Sequence, residues 1–287
     1  MTSLPAAGAA DGRRRALVLD YFGGDARIRA MRPSPVFGAP LFVVDFDRGP
    51  RHFRTLGSFG AGEQVTEQSS MDLLYPSRLV FHYERLMSLA LGFCERPVRA
   101  LLLGVGGAAM WRFVRAHLPD CAATLVDSDE TVVGLARRWF YLNQRVEIDT
   151  AQRFLARTGE RFDAILVDVY DAAGPASADA LFWTRAIEAL APGGCLAANW
   201  ADFATNPEVR PMAEALVEVA SSKELDCRFV TRRGYRDNLV QFVPPRRGLD
   251  YEGFAGVLEG FARERRLPDR GAGILDHCLV TARFPFA

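Results

Sequence analysis

The sequence predicts an α/β protein in which a small N-terminal β-module precedes a doubly wound sheet. Short β-type runs separated by turn residues come first, and apolar strands alternating with amphipathic helices follow from about residue 99. Such alternation is typical of a parallel sheet covered by helices on both faces. The 287 residues, 49% hydrophobic and 24% charged, also suit a globular protein with a sizeable core.

The N-terminal third is expected to contain a tail, a β-module and a helix. Residues 1–15 read as a disordered tail, and residues 16–95 as a β-rich module with a helix leading into the next domain. The β-type runs are ALVLDYF, PLFVVDF and HFRTL, with turn residues between them. Residues 72–93 then change to helical spacing, with Pro76 where a first helical turn tolerates proline.

Residues 96–287 are predicted to form the larger domain, in which strands and helices alternate. The predicted strands are RALLL, ATLVD, VEID, DAILVD and CLAANWA, and the helices between them are AAMWRFVRAHL, ETVVGLARRWFYL, AQRFLART and ALFWTRAIEAL. A helix over 211–222, the strands CRFVTRR and NLVQFV, and a helix over 254–265 are expected downstream. The alternation predicts that the carboxyl ends of the first four strands lie at one edge of the sheet.

Charge, cysteine spacing and hydropathy argue against several classes of protein. Because 35 basic residues balance 35 acidic ones, no global field attracts nucleic acid or an anionic membrane. The five cysteines are scattered and the histidines lack ligand-like companions, so no metal site is expected. Apolar runs of about a dozen residues are shorter than a bilayer requires, and no signal-peptide pattern is found. A cytoplasmic protein is expected.

Glycines and an aspartate follow the first two predicted strands of the sheet. Gly104, Gly106 and Gly107 end the first strand, where glycine lets the backbone approach a ligand and the next helix supplies N–H donors. Tight turns between a strand and a helix use the same residues. Asp127 ends the second strand, where a carboxylate about 20 residues after a glycine loop can accept hydrogen bonds from a ribose. Together these features predict a nucleoside site.

The next two strands also end in acidic residues. Asp149 could accept a hydrogen bond from the amino group of an adenine while the backbone of Thr150 contacts the ring. The alternative is that Asp149 caps the N-terminus of the following helix. Asp168 and Asp171 flank Tyr170 after the fourth strand. A helix cap explains one of these acids but not both. A cationic ligand, or an amine that must lose a proton before it attacks carbon, needs carboxylates here.

These motifs resemble the spermidine synthase family, which consists of aminopropyltransferases with the Rossmann-like fold of class I methyltransferases. The similarity covers most of the chain and includes the sequences EQSSMD and FHYE as well as the acidic strand ends. It implies that Asp127 binds the ribose and Asp149 the adenine. It also implies that Asp168 and Asp171, which match the D-x-x-D pattern of the family, hold the acceptor amine, with Asp168 as the base.

The resemblance implies further contacts and an assembly. Gln68 matches a glutamine at the mouth of the family's site, and His82 matches a histidine near the cofactor. Asn199, which ends the fifth strand, and Tyr170, which lies between the two acids, could line the acceptor pocket. Family members are usually dimers or tetramers built through the N-terminal module, so a homodimer is expected. One departure is Gly107, because the family typically has an aspartate there that binds the aminopropyl ammonium.

Three functions stay open at this point. The first is transfer of an aminopropyl group from decarboxylated S-adenosylmethionine to an amine such as putrescine, in polyamine biosynthesis. The second is a methyltransferase or related alkyltransferase that uses intact S-adenosylmethionine, which Gly107 favours. The third is a non-catalytic nucleoside-binding protein, and the paired carboxylates argue against it.

Overall fold

The computed structural model describes residues 7–94, 97–171, 174–175, 179–233, 238–265, 274–275 and 277–283. For residues 7–9, 61, 171, 174, 175 and 265 it describes the backbone only. The N-terminal elements are α1 (Ala7–Phe22), β1 (Arg27–Pro33), β2 (Pro40–Arg48), β3 (Arg51–Phe59), a 3₁₀ turn (Ala61–Glu63), β4 (Val65–Asp72) and α2 (His82–Gly92). The four strands form an antiparallel sheet in chain order.

The larger sheet contains eight strands within the described residues, in the order β14-β12-β13-β11-β8-β5-β6-β7. Its elements are β5 (Arg99–Leu103), α3 (Ala109–His117), β6 (Ala122–Asp127), α4 (Glu130–Trp139), β7 (Val146–Ile148), α5 (Ala151–Arg157), β8 (Phe162–Val167), β9 (Tyr170–Asp171), β10 (Gly174–Pro175), α6 (Ala180–Glu188), β11 (Leu190–Ala201), α7 (Val209–Ser222), β12 (Arg228–Arg232), β13 (Asn238–Val243), α8 (Tyr251–Arg265) and β14 (Cys278–Thr281). The short strands β9 and β10 pair separately. The predicted doubly wound sheet with an N-terminal β-module is confirmed.

Helices cover both faces of this sheet. Alternate residues of β5 point to opposite sides: Leu101 and Leu103 join the core under α5, α6 and α7, whereas Leu102 joins the core under α2, α3 and α8. The strands β5, β6, β7, β8 and β11 are parallel, and β12, β13 and β14 extend the sheet with antiparallel pairs. Chain order reverses at β5, whose neighbours are β6 and β8. This is the switch point at which doubly wound sheets bind ligands.

The N-terminal sheet is buried on both faces, which explains the uninterrupted apolar run in β2. Leu41 and Val43 pack against residues of α4, whereas Phe42 and Val44 pack against Val18 of α1. A strand covered on both sides has no solvent-facing positions and therefore reads as a continuous hydrophobic segment. The predictions of strands at PLFVVDF and HFRTL are confirmed by β2 and β3.

Three local predictions in the N-terminal third differ from the structure. The segment ALVLDYF, predicted as a strand, belongs to α1, because Val18 covers an apolar sheet face and this packing overrides β-propensity. The helix also includes residues 7–15 of the predicted tail. The helix predicted over 72–93 begins only at His82, because β4 extends to Asp72 and the Asp72 carboxylate accepts the N–H groups that open a turn. The domain boundary near residue 95 stays a prediction.

Among the helices in the described ranges, none has both the length and the apolar character needed to span a bilayer.

Candidate active site

A cavity of about 1090 Å³ lies at the carboxyl ends of β5, β6 and β8, and residues of β3 and β4 cover it. Its volume is sufficient for a nucleoside together with a small second ligand. Most of the predicted site residues line it: Gln68, Gly104, Gly106, Asp127, Asp149, Thr150, Asp168, Tyr170 and Asn199. His82 and Gly107 are not among its described lining residues, and the Asp171 side chain lies outside the described part of the structure.

The glycine loop connects β5 to α3 along the wall of the cavity. Gly104 has φ +89°, and a Cβ placed there would lie 2.0 Å from the carbonyl oxygen of Asp168. Gly106 also has a positive φ, +49°. Side chains rarely adopt this conformation, and at Gly104 the backbone path also leaves no room for a Cβ, so glycine is required there. The loop therefore presents its main chain directly to the cavity.

Gly107 lies in the glycine loop next to Ser69 of β4. A Cβ at Gly107 would lie 2.7 Å from Ser69 Oγ and 2.9 Å from Ser69 Cβ. Ser69 therefore occupies the space that a side chain at this loop position would need. The structure offers no room there for a carboxylate unless Ser69 moves.

The buried guanidinium of Arg112 hydrogen-bonds to the backbone of the glycine loop. Arg112 of α3 donates hydrogen bonds to the carbonyl oxygens of Gly107, Phe140 (3.1 Å) and Pro76 (2.7 Å). Burial lowers the pKa of Arg112 to about 10, and the nearby Glu84 carboxylate favours its charged form. Arg112 thus connects the glycine loop with the segments that precede α2 and follow α4.

Asp127 is oriented by backbone groups at the end of β6. Its Oδ2 accepts the N–H of Val105 at 2.8 Å, and its Oδ1 accepts the N–H of Asp129 at 2.9 Å. Each carboxylate oxygen has a second lone pair, so Asp127 can still accept ligand hydroxyl groups in the cavity. Asp129 instead caps α4 by accepting the N–H of Thr131 at 2.7 Å.

The end of β7 places Asp149 and Thr150 side by side at the cavity. The cap of α5 is Thr150, whose Oγ1 accepts the N–H of Arg153 at 3.2 Å, so the cap alternative considered for Asp149 is wrong. Asp149 pairs with Arg153 (3.3 Å) and Arg157 (3.2 Å). The adenine contact predicted for Asp149 stays a prediction.

Asp168 follows β8 and faces the cavity among polar side chains. Its Oδ1 accepts Asn199 Nδ2 at 2.8 Å, and the Tyr83 hydroxyl donates a further hydrogen bond. Burial raises the pKa of Asp168 to about 6, against these two donors. Glu84, which is 5% exposed, lies nearby on α2, and burial raises its pKa to about 7. A carboxylate with a pKa close to neutral is suited to accept a proton from a ligand.

Hydrogen bonds orient the side chains of Tyr170 and Gln68 at the wall of the cavity. The Tyr170 hydroxyl donates to the carbonyl oxygen of Asn199 at 2.8 Å and accepts the N–H of Ala201 at 2.6 Å, which joins β9 to β11. Gln68 on β4 donates from Nε2 to Ser58 Oγ at 2.8 Å. The Tyr170 ring and the Gln68 side chain thus have defined orientations at the cavity.

His82 is not among the described residues that line the cavity, and its contact with the cofactor stays a prediction. Its side chain hydrogen-bonds to the backbone of Ile274, outside the described lining of the cavity. The next two residues, Tyr83 and Glu84, line the cavity instead. Tyr83 and Glu84 belong to the sequence FHYE and lie in the first turn of the helix that His82 begins, so the motif itself pointed to this part of the site. Further lining residues that sequence reasoning missed are Glu67, Asp202, Asn206 and Asn238.

Within the described ranges, no group of three or more histidine, cysteine, aspartate or glutamate side chains could hold a metal ion.

The doubly wound sheet, the glycine loop and the acidic strand ends define a protein with the fold of class I methyltransferases. The family model for the spermine/spermidine synthase domain matches residues 80–244, more than half of the chain. The chain belongs to this family.

Relatives with assigned names are consistent with this membership. The polyamine aminopropyltransferase of Chromobacterium violaceum is 37% identical over an alignment of 145 residues, which covers 47% of this chain and 54% of that protein. That of Neisseria meningitidis serogroup A is 31% identical over an alignment of 172 residues, which covers 56% of this chain and 64% of that protein. The chain thus spans less than two thirds of the length of these relatives.

A solved structure shares the fold over nearly the whole chain. The crystal structure of a probable spermidine synthase from Corynebacterium glutamicum has a TM-score of 0.67 at 18% identity and covers 89% of this chain and 91% of that chain. At this level of identity the similarity shows the fold alone.

Proposed function

We propose that the protein transfers an aminopropyl group from decarboxylated S-adenosylmethionine to a small amine such as putrescine, in polyamine biosynthesis. The observation that carries this proposal is the placement of Asp168, a carboxylate with a pKa of about 6. It lines the cavity, and its backbone lies next to Gly104 of the glycine loop. The names of the related polyamine aminopropyltransferases support the same reaction.

The donor half of the cavity supplies the groups that a nucleoside needs. Asp127 accepts the ribose hydroxyl groups, and Asp149 with the backbone of Thr150 contacts the adenine. The main chain of Gly104 and Gly106 approaches the ligand where side chains would obstruct it. The positive charge of the sulfonium makes the adjacent carbon ready for attack, so this half serves mainly to orient the donor.

The acceptor half supplies carboxylates for a cation and a base for its proton. Asp168, together with Asp171, binds the ammonium group of the acceptor, and Gln68, Tyr170 and Asn199 shape the pocket around it. Asp168 removes one proton, and the freed nitrogen lone pair forms a bond to the carbon next to sulfur. The carbon–sulfur bond breaks with its electron pair remaining on sulfur, which leaves neutral methylthioadenosine and the alkylated amine.

The assembly and the setting belong to the same proposal. A homodimer formed through the N-terminal module in the cytoplasm, acting on small molecules rather than on nucleic acid or a membrane, agrees with the family resemblance. The equal numbers of basic and acidic residues give no reason for a polyanionic partner.

A second candidate is a methyltransferase that uses intact S-adenosylmethionine. The observation that favours it is the contact of Gly107 with Ser69, which leaves no room for a carboxylate that would select an ammonium in place of a zwitterion. Without that selection, the donor site discriminates less strongly against the carboxylate of the intact cofactor.

Calorimetric titration with decarboxylated S-adenosylmethionine, intact S-adenosylmethionine and methylthioadenosine tests the proposal. We expect the decarboxylated donor and methylthioadenosine to bind, with the decarboxylated form at least as tight as the intact one. Asp168→Asn serves as the matched variant, since it keeps the shape of the site and should retain nucleoside affinity. Tighter binding of the intact cofactor would favour the methyltransferase, and binding of none of the three would reject both enzymes.

A further inference from the structure

A chain of three polar side chains runs from β13 to the cavity. Asn238 Nδ2 donates to Asn199 Oδ1 at 3.0 Å, and Asn199 Nδ2 donates to Asp168 Oδ1 at 2.8 Å. The two asparagines lie on neighbouring antiparallel strands, β13 and β11, so the sheet fixes their separation. Asn199 is 5% exposed, and all three residues contribute to the wall of the cavity.

The orientation of the Asn199 amide decides what it does to Asp168. Its N–H end stabilises an ionised carboxylate, whereas its oxygen end would repel that carboxylate and favour the protonated acid. The two ends have nearly the same shape, so packing alone does not distinguish them. A hydrogen bond to the oxygen end does distinguish them, and Asn238 provides one.

Asn238 is held by its own strand. Its backbone pairs with Ala201 of β11, and its carbonyl oxygen accepts the Thr231 hydroxyl at 3.1 Å. The donor that orients Asn199 therefore comes from a fixed backbone position rather than from a loop.

We propose that Asn238 is a positioning residue, which acts through Asn199 to keep an N–H donor directed at Asp168. This inference deepens the proposed function and rests on it, because Asp168 is the base there. Other groups that face Asp168 are the Tyr83 hydroxyl and Glu84 on α2 and the Tyr170 hydroxyl on β9, with Asp202 beyond Tyr170. Burial and the negative charge of Glu84 favour the neutral form of Asp168. The hydrogen bonds from Asn199 and Tyr83 favour its ionised form.

The test is a titration of the Asp168 carboxyl carbon by NMR in the ligand-free protein, with the signal assigned through Asp168→Asn. In Asn238→Leu we expect the midpoint to rise by about one pH unit, as a charge-stabilising hydrogen bond is weakened or reversed. Asn206→Leu is the matched control. Asn206 lines the same cavity, but its oxygen accepts the N–H of Glu208 at 3.0 Å, so the midpoint should stay at the parental value.

A second pair of variants protects the test if the leucine substitution prevents folding. An ionised aspartate at 238 accepts but does not donate, so Asn238→Asp should turn the Asn199 amide and raise the midpoint at least as far as Asn238→Leu. Asn206→Asp adds the same charge to the wall of the cavity, and the midpoint should rise further in Asn238→Asp than in Asn206→Asp.

The outcomes separate this inference from the proposed function. A shift for Asn199→Leu without one for the Asn238 variants would overturn the inference, because Asn199 would then be oriented without Asn238. A shift for both supports it, even if the unmodified protein fails to transfer an aminopropyl group, in which case only the proposed function is rejected. If transfer is found, the acid limb of kcat should move with the titration midpoint.

Discussion

The α-carbon of Gly104 lies directly against the carbonyl oxygen of Asp168, so close that a Cβ at Gly104 would come within 2.0 Å of it. The two halves of the cavity are therefore in backbone contact. The glycine loop thus packs against the strand end that carries Asp168.

Replacing Gly104 with alanine should damage both halves at once. Alanine is strained at φ +89°, and its Cβ would push the Asp168 carbonyl away. We expect a loss of more than about 2 kcal/mol in the free energy of unfolding, measured by urea denaturation, and at least tenfold weaker nucleoside binding. Gly134→Ala is the matched control. It lies in α4 with open space around it and should stabilise the protein by about 0.5–1 kcal/mol. Equal effects of the two substitutions would contradict the prediction.

Arg112→Met should remove the hydrogen bond that fixes the glycine loop at Gly107. The variant keeps the length of the side chain but leaves the carbonyl groups of Gly107, Phe140 and Pro76 without their donor. We expect unfolding to become easier by about 3 kcal/mol, together with weaker nucleoside binding in calorimetry. The control is Arg115→Met on the exposed side of the same helix, which should change stability by less than about 0.5 kcal/mol. A neutral result for Arg112→Met would show that the loop is held by other contacts.

Asp127→Asn should weaken nucleoside binding more than stability. Asparagine keeps one acceptor oxygen for the backbone but loses the charge and the second acceptor that Asp127 offers. The affinity for methylthioadenosine should fall about tenfold to a hundredfold. Asp129→Asn should change it little, because asparagine also caps a helix well and Asp129 caps α4. Equal losses in the two variants would mean that Asp127 only supports the loop.

The sequence was sufficient to predict the large sheet and the strand ends that carry the site. Glycine, a lone aspartate and a pair of aspartates follow buried strands, and the topology necessarily brings these ends together. The spacing of about 20 residues after the glycine loop assigned the ribose contact to Asp127 rather than to Asp129. The structure shows that Asp129 is turned back to cap α4.

The parts that were mispredicted depend on contacts distant in sequence. ALVLDYF has a strand-like composition, and it forms a helix because α1 covers an outer sheet face that the segment itself does not reveal. His82 and Tyr83 lie about 100° apart around the helix, so the sequence alone does not show which of them faces the cavity. Asn238 was missed because β13 meets β11 only through the antiparallel addition to the sheet.

The pH dependence of catalysis should follow Asp168. In the proposed reaction Asp168 is the base and must be ionised, so kcat should fall as pH drops through about 6. Glu84, with a pKa of about 7, faces the same region, and Glu84→Gln separates its contribution. An acid limb that lies near pH 4 in the parental enzyme would contradict the assignment.

The raised pKa of Asp168 should also make the stability of the protein depend on pH. Because folding raises the pKa of Asp168 from its ordinary value of 3.8 to about 6, the contribution of Asp168 to stability should decrease as pH rises from about 4 to 6 and stay constant above that. Asp168→Asn lacks this penalty. Thermal melts should therefore show the variant gaining stability over the parent above pH 6 and losing that advantage below pH 4. A constant difference across this range would place the titration elsewhere.

The central claim is tested most directly by incubating the protein with decarboxylated S-adenosylmethionine and a panel of diamines, and resolving the products by chromatography. We predict equal amounts of methylthioadenosine and an aminopropylated amine, with putrescine among the acceptors and no product from Asp168→Asn. Intact S-adenosylmethionine should give no methylated amine in the parallel reaction. A methylated amine with S-adenosylhomocysteine from the intact cofactor, and no aminopropylated product from the decarboxylated one, would contradict the proposal.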